Sequence, residues 1–171
     1  MMQINFWAIF SAAFLPLIIG WIWYHPKVFG TVWRREAGLA GFPVKSQMIG
    51  AYIFCVILSV LMAFFIQYTT VHQFGALGMV GGDEMNAENS YHAFMKDYGK
   101  AYRSFGHGAW HAFIAGFLFV FPMTAVNAMF EQKSWKYTMI NSAYWTFTIT
   151  LMGGLICGWY ACDGFYWVTQ K

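Results

Sequence analysis

QMIGAYIFCVILSVLMAFFIQY, residues 47–68, contains no Asp, Glu, Lys or Arg. It runs past about 20 residues, enough at 1.5 Å per residue to cross a hydrocarbon core of roughly 30 Å. Outward from it, three more stretches share this character: Ile4 to Tyr24, Gly108 to Phe130 and Tyr137 to Tyr160. The chain of 171 residues is 59% hydrophobic and only 10% charged, against about 25% charged in soluble domains. These numbers exclude disorder and predict an all-α membrane protein, its four transmembrane helices forming one compact bundle. A transmembrane β-barrel would need many segments of about 10 residues with alternating polarity, and the sequence has no such alternation.

The first stretch is expected to be retained rather than cleaved. It has no Lys or Arg before it, its apolar run is too long for a secretory signal, and no A-x-A-like site closes it. Lys27, Arg34, Arg35, Lys45, Lys133 and Lys136 flank one side of the predicted spans, and they outnumber Lys96, Lys100, Arg103 and Lys171 on the other. The positive-inside rule then puts both termini and the middle loop outside, in a bacterial cytoplasmic membrane. The net charge of +3 comes without a basic run interleaved with aromatics, so nucleic acid is not an expected partner. The lipid bilayer is.

Lipid tails give apolar side chains no reason to prefer one another, so small residues at intervals of four mark where helices meet. Ala8, Ala12, Pro16 and Gly20 form such a row, as do Ala51, Cys55, Ser59 and Ala63. Gly108, Ala112 and Gly116 form a third, and Ser142, Thr146, Thr150, Gly154 and Gly158 the longest. Cys55 and Cys157 read as packing residues, and Cys162 as a thiol just beyond the last helix. Pro16 and Pro122 each remove a helical hydrogen bond, freeing the carbonyls of Ala12 and Leu118. Asn127 and Asn141, near the inner ends of the last two helices, are candidates for bridging helices.

Between the second and third spans, Asp83 to Phe105 has a different composition. Tyr91, Phe94, Met95, Tyr98, Tyr102 and Phe105 recur at helical spacing opposite polar residues, which predicts an amphipathic interfacial helix. Gly75, Gly78, Gly81 and Gly82 before it predict a flexible turn. His107 and His111 are four residues apart and share a helix face, the spacing by which two imidazoles can hold one metal or a haem iron. The other reading has His107 at the membrane interface and His111 hydrogen-bonded to a neighbouring helix. Two histidines do not fix a third ligand, so neither metal nor other cofactor is assigned from sequence. His72 and His92 are placed near the same outer surface. No H-E-x-x-H, G-x-S-x-G, C-x-x-C or phosphate-cradling glycine loop occurs, so enzymatic chemistry is not expected.

The run Gly20-Trp21-Ile22-Trp23-Tyr24-His25-Pro26-Lys27-Val28-Phe29-Gly30-Thr31-Val32-Trp33 resembles the W-Y-x-P-x-x-F-G-x-x-W signature of a bacterial membrane family, domain of unknown function 1761. His111 to Trp159, with Glu131-x-x-Ser134-Trp135 and Gly153-Gly154 before Gly158-Trp159, is similar to that family's C-terminal half. The resemblance implies a four-helix integral membrane protein and no particular activity. In physical terms, Pro26 stops the first helix while Trp23, Tyr24 and Trp33 suit the headgroup zone or a rigid docking loop. Three functional readings follow. The first is a non-enzymatic subunit that oligomerises or joins a larger membrane assembly; the others are a small multimeric carrier or channel, and a metal- or haem-binding protein using His107 and His111. Whichever holds, the chain is expected to stay in the membrane pellet after an alkaline carbonate wash. Recovery in the supernatant would overturn the membrane assignment.

Overall fold

Asn5 opens the first helix by accepting the Ala8 N–H on its side-chain oxygen at 3.0 Å, which satisfies one of the otherwise orphaned donors of the first turn. The computed structural model describes residues 4–40 and 45–162, with side chains over 4–40 and 48–159; the side chain of Cys162 and all of Lys171 lie outside the described residues. From Asn5 follow α1 (Phe6–Ala13) and α2 (Leu15–Trp23), then a wide i→i+5 turn at Pro26–Gly30 and the short α3 (Thr31–Ala37). The chain continues through α4 (Lys45–Thr70), α5 (His72–Met79), α6 (Asn89–Tyr98) and α7 (Phe105–Ala115). A second wide turn at Gly116–Val120 leads into α8 (Phe121–Phe130), and α9 (Trp135–Cys162) completes the described chain. The described residues are helical, with no strand among them.

Three helical stretches are long and apolar enough to cross a membrane: Phe6–Trp23, Met48–Thr70 and Phe105–Phe130. α9 has the length but is not among them. Its composition explains this, since Thr138, Asn141, Ser142, Thr146, Thr148 and Thr150 lower its apolarity. Those same residues turn largely inward: Thr138, Ser142 and Thr148 are buried, with Ile149, Met152, Ile156 and Cys157. α9 packs on α1, α2, α4, α7 and α8, and its pairing with α7 is the most extensive in the molecule. The core gathers around it from Ile9 and Ala12 of α1, Ala63 and Ile66 of α4, and Ala112 of α7.

The α7–α9 contact is made by backbone meeting backbone. A methyl group added at Gly108 would overlap the Cys157 Cβ and the Gly153 carbonyl, and one at Gly153 would lie 2.7 Å from the Gly108 carbonyl oxygen. Gly116 sits against the backbone of Thr146, and Gly154 and Gly158 face the ring and backbone of Phe105. The small-residue rows of all four predicted spans contain inward positions, with Ala8, Ala12, Pro16, Ser59 and Ala63 buried on α1, α2 and α4. Pro16 lies in the first turn of α2, where its missing N–H costs nothing. The Tyr144 hydroxyl of α9 donates to the Pro16 carbonyl at 2.7 Å. Pro122 follows the wide turn at Gly116–Val120, whose widened register takes up the distortion before α8 begins.

Two local expectations need correction. Gly75 and Gly78 lie within α5 rather than in a flexible turn; the turn is confined to Gly81 and Gly82, whose positive φ of 70° and 80° favours glycine. The amphipathic helix is α6 alone, ten residues rather than the whole of Asp83 to Phe105. Before it, Asp83 accepts from the Asn86 backbone and side-chain amides at 3.2 and 2.8 Å, closing a turn that competes with helix. After it, Tyr102 adopts a left-handed φ of 61°, so the aromatic residues do not form one continuous stripe.

Gly108→Ala is expected to destabilise the bundle by about 1–3 kcal/mol, the usual cost of overpacking. Gly106→Ala on the same helix meets nothing within 4 Å and is expected to match or slightly exceed the unmodified protein. Thermal or SDS-induced unfolding in detergent measures both.

Candidate functional site

The two ends of the bundle each gather polar and aromatic side chains. At one end, the wide turn after α2 folds the signature segment back on the start of α9. Trp23 donates its indole N–H to the Ile140 carbonyl at 3.2 Å. The Asn141 side-chain carbonyl accepts the Tyr24 hydroxyl at 2.9 Å and the Trp33 indole N–H at 3.2 Å, using both its lone pairs. Its amide donates to the Tyr137 carbonyl at 2.9 Å. Ring contacts complete the cluster, with Trp23 on Phe29 at 4.7 Å and Tyr24 on Trp33 at 4.8 Å between centroids. These aromatics hold the first connection onto α9 through named polar atoms, a role beyond that of a headgroup belt.

The turn between α8 and α9 locks onto the same place. Lys133 donates from Nζ to the Ala37 carbonyl at 3.0 Å. Glu36 pairs with Arg35 at 2.8 Å. Hydrogen bonding from Ser134, and then from Arg35, holds its carboxyl below the ordinary value. Asn127, by contrast, lies exposed on α8.

At the opposite end, α4 stops at Thr70, whose hydroxyl turns back to the Ile66 carbonyl at 2.8 Å. Val71 leaves the helical conformation with φ −108° and ψ 94°. This break redirects the chain so that His72, the first residue of α5, faces the start of α7. Ser104 caps α7 by accepting the His107 N–H at 3.3 Å, and one turn on stands His111. The Nε2 atoms of His72 and His107 lie 2.9 Å apart. The His72 ring lies 4.8 Å from that of His111, and the His107 and His111 rings are 4.4 Å apart, between centroids. One donor nitrogen from each of the three lies within 4.8 Å of the others. Tyr102, in its left-handed turn, lays its ring 5.0 Å from His107. Buried Gln73 secures the surrounding segment by donating to the Tyr98 and Ala101 carbonyls at 3.2 and 2.9 Å.

His107 and His111 thus share a face, as their spacing requires, and His72, which sequence placed at the same outer surface without fixing it as a third ligand, joins them. Its signal was weak because a break of one residue at Val71 decides where His72 points. His92 stays apart, exposed on α6 with its ring against Tyr91. Gly154 and Gly158 are packing surfaces for Phe105, and so set the position of the first turn of α7, on which His107 stands.

A family model described as protein of unknown function (DUF1761) matches residues 7–157, and the chain belongs to that family. No curated protein matches it, and no solved structure does.

Asn141→Leu is expected to orphan the half-buried Tyr24 hydroxyl and Trp33 indole together, costing about 1 kcal/mol or more for each donor left without a partner. Tyr24→Phe removes one donor with its bond and is expected to cost about 1 kcal/mol. Unfolding followed by tryptophan fluorescence in detergent ranks the two variants.

Proposed function

We propose that this DUF1761 chain is a four-span protein of the bacterial cytoplasmic membrane, with α9 as the central span. In this reading it performs no chemistry on a substrate; it acts as a subunit that associates with itself or joins a larger membrane assembly. The observation that carries the reading is the division between inner and outer faces. Only 11% of the most apolar window in Phe105–Phe130 is buried within the molecule. Soluble monomers rarely expose apolar patches beyond a few hundred Å², so lipid or another membrane protein must cover this surface. Trp110, Phe113, Phe117 and Phe121 run along it as a ladder of near-parallel rings, with successive centroids 5.8, 6.1 and 6.1 Å apart. Such a stripe offers a neighbouring helix a rigid surface of low conformational entropy. Meanwhile the Tyr144 and Ser142 hydroxyls of α9 reach the Pro16 carbonyl and Thr124 on other helices, and Thr138, Thr150 and the Asn141 amide bond back to carbonyls one turn earlier.

Charge supports an orientation. Arg34 and Arg35 on α3 lie at the same end as Lys133, which is tied to α3 through the Ala37 carbonyl. With that end in the cytoplasm, the N-terminus, the α5–α6 segment, His72, His107 and His111 face outside.

Purified in mild detergent, the protein is expected to run as a multiple of its 19.6 kDa chain mass, after correction for bound detergent, or with a stoichiometric partner. A monodisperse monomer with no co-purifying protein would overturn the subunit reading. In intact cells, an impermeant maleimide is expected to label Ala87→Cys above the background of the unmodified chain, and Gln132→Cys only after permeabilisation; the reverse pattern inverts the topology.

A further inference from the structure

We propose that His72, His107 and His111 form a three-imidazole site for a divalent transition-metal ion of the zinc class. The site is independent of whether the chain serves as a subunit. Three observations converge on it. The donor nitrogens lie within 4.8 Å of one another, and two are already 2.9 Å apart. The ligands come from separate elements, His72 from the break after α4 and the other two from successive turns of α7, so their meeting is a product of the tertiary fold. The three residues are partly or fully exposed at the bundle end, which leaves an ion an entry path.

Metal–nitrogen distances of about 2.0–2.1 Å in a tetrahedral site place ligand nitrogens about 3.3 Å apart. The His72–His107 pair needs to open by only a few tenths of an ångström to reach this. The exposed His72 ring has the freedom to turn while the helix holds His107 and His111 in register. The donor set also chooses the ion. Among the described residues no carboxylate joins the group, and imidazole nitrogen favours Zn²⁺, Co²⁺, Ni²⁺ or Cu²⁺ over Mg²⁺ and Ca²⁺, which demand oxygen. Three protein ligands leave a fourth position for water or an incoming group, the arrangement of open rather than closed zinc sites. Without an ion, the 2.9 Å contact requires one of the two Nε2 atoms to donate and the other to accept. Metal binding replaces that shared proton with coordination and ties α5 to α7.

The test uses full-length protein without a histidine tag, in detergent and stripped with a chelator, titrated with Zn²⁺ alone and with Co²⁺ alone. The expected result is one saturable equivalent per chain, with Co²⁺ giving the visible absorption of a four-coordinate ion. His72→Ala and His107→Ala are each expected to weaken binding by more than the roughly 10- to 100-fold that loss of an outer-sphere partner costs. His92→Ala is expected to bind as the unmodified chain does. Far-UV circular dichroism confirms that each variant is folded; if His107→Ala fails, His72→Ala at the exposed start of α5 carries the test. Absence of a saturable equivalent in the unmodified protein, or unchanged affinity in folded His72→Ala, would overturn the site.

Discussion

Backbone contact between α7 and α9 is the constraint on which the rest of the molecule depends. Where apolar tails surround the helices, burying another leucine gains little, so affinity between helices must come from close approach and hydrogen bonds. Gly108, Gly116 and Gly153 permit that approach, and a single methyl group added at any of them would overlap atoms of the facing helix. The consequences reach both ends of the bundle. The contact fixes Phe105 against Gly154 and Gly158, and with it the turn bearing His107. At the other end, α9 presents Ile140 and Asn141 to the aromatic segment that follows α2.

Polar groups then specify what small residues merely allow. The Tyr144 hydroxyl on the Pro16 carbonyl and the Thr124–Ser142 contact at 2.5 Å tie α9 to α2 and α8 respectively. Thr124 also reaches the Val120 carbonyl at 2.9 Å, beside the proline that interrupts the helical ladder. Each bond has a defined direction, unlike dispersion between rings, so it favours one rotation of each helix over its neighbours.

Much of this was legible in the sequence because two patterns with long periods carried it. Uncharged runs of span length gave the long apolar helices, and residues four apart gave their inward faces, as buried Ala8, Ala12, Ser59, Ala63 and Ala112 illustrate. The family followed from the aromatic signature around Pro26 and from the C-terminal glycines. What sequence could not supply was decided by single backbone positions. Val71 leaves the helix and redirects His72; Tyr102 takes a left-handed conformation and ends the amphipathic stripe; the Asp83–Asn86 turn shortens α6. Neither Val71 nor Tyr102 is a residue type that announces such a conformation, because neighbouring packing selects it, whereas Asp83 and Asn86 are turn formers whose reach along the chain the aromatic spacing obscured. Asn127 and Asn141 show the same limit: they are identical in type and similarly placed at helix ends, yet one is exposed and the other accepts two hydrogen bonds.

The polar composition of α9 has a consequence for how the chain is made. If the chain inserts into a bilayer, a helix carrying Asn141, Ser142, Thr146, Thr148 and Thr150 has less to gain from leaving the translocation channel by itself than the three more apolar helices. The Tyr144 and Ser142 hydroxyls find their partners, the Pro16 carbonyl and Thr124, only once earlier helices are in place, and these emerge from the ribosome first. In the four-span reading proposed above, assembly has an order: the three more hydrophobic segments enter the bilayer first, and the last packs into the receptacle they form.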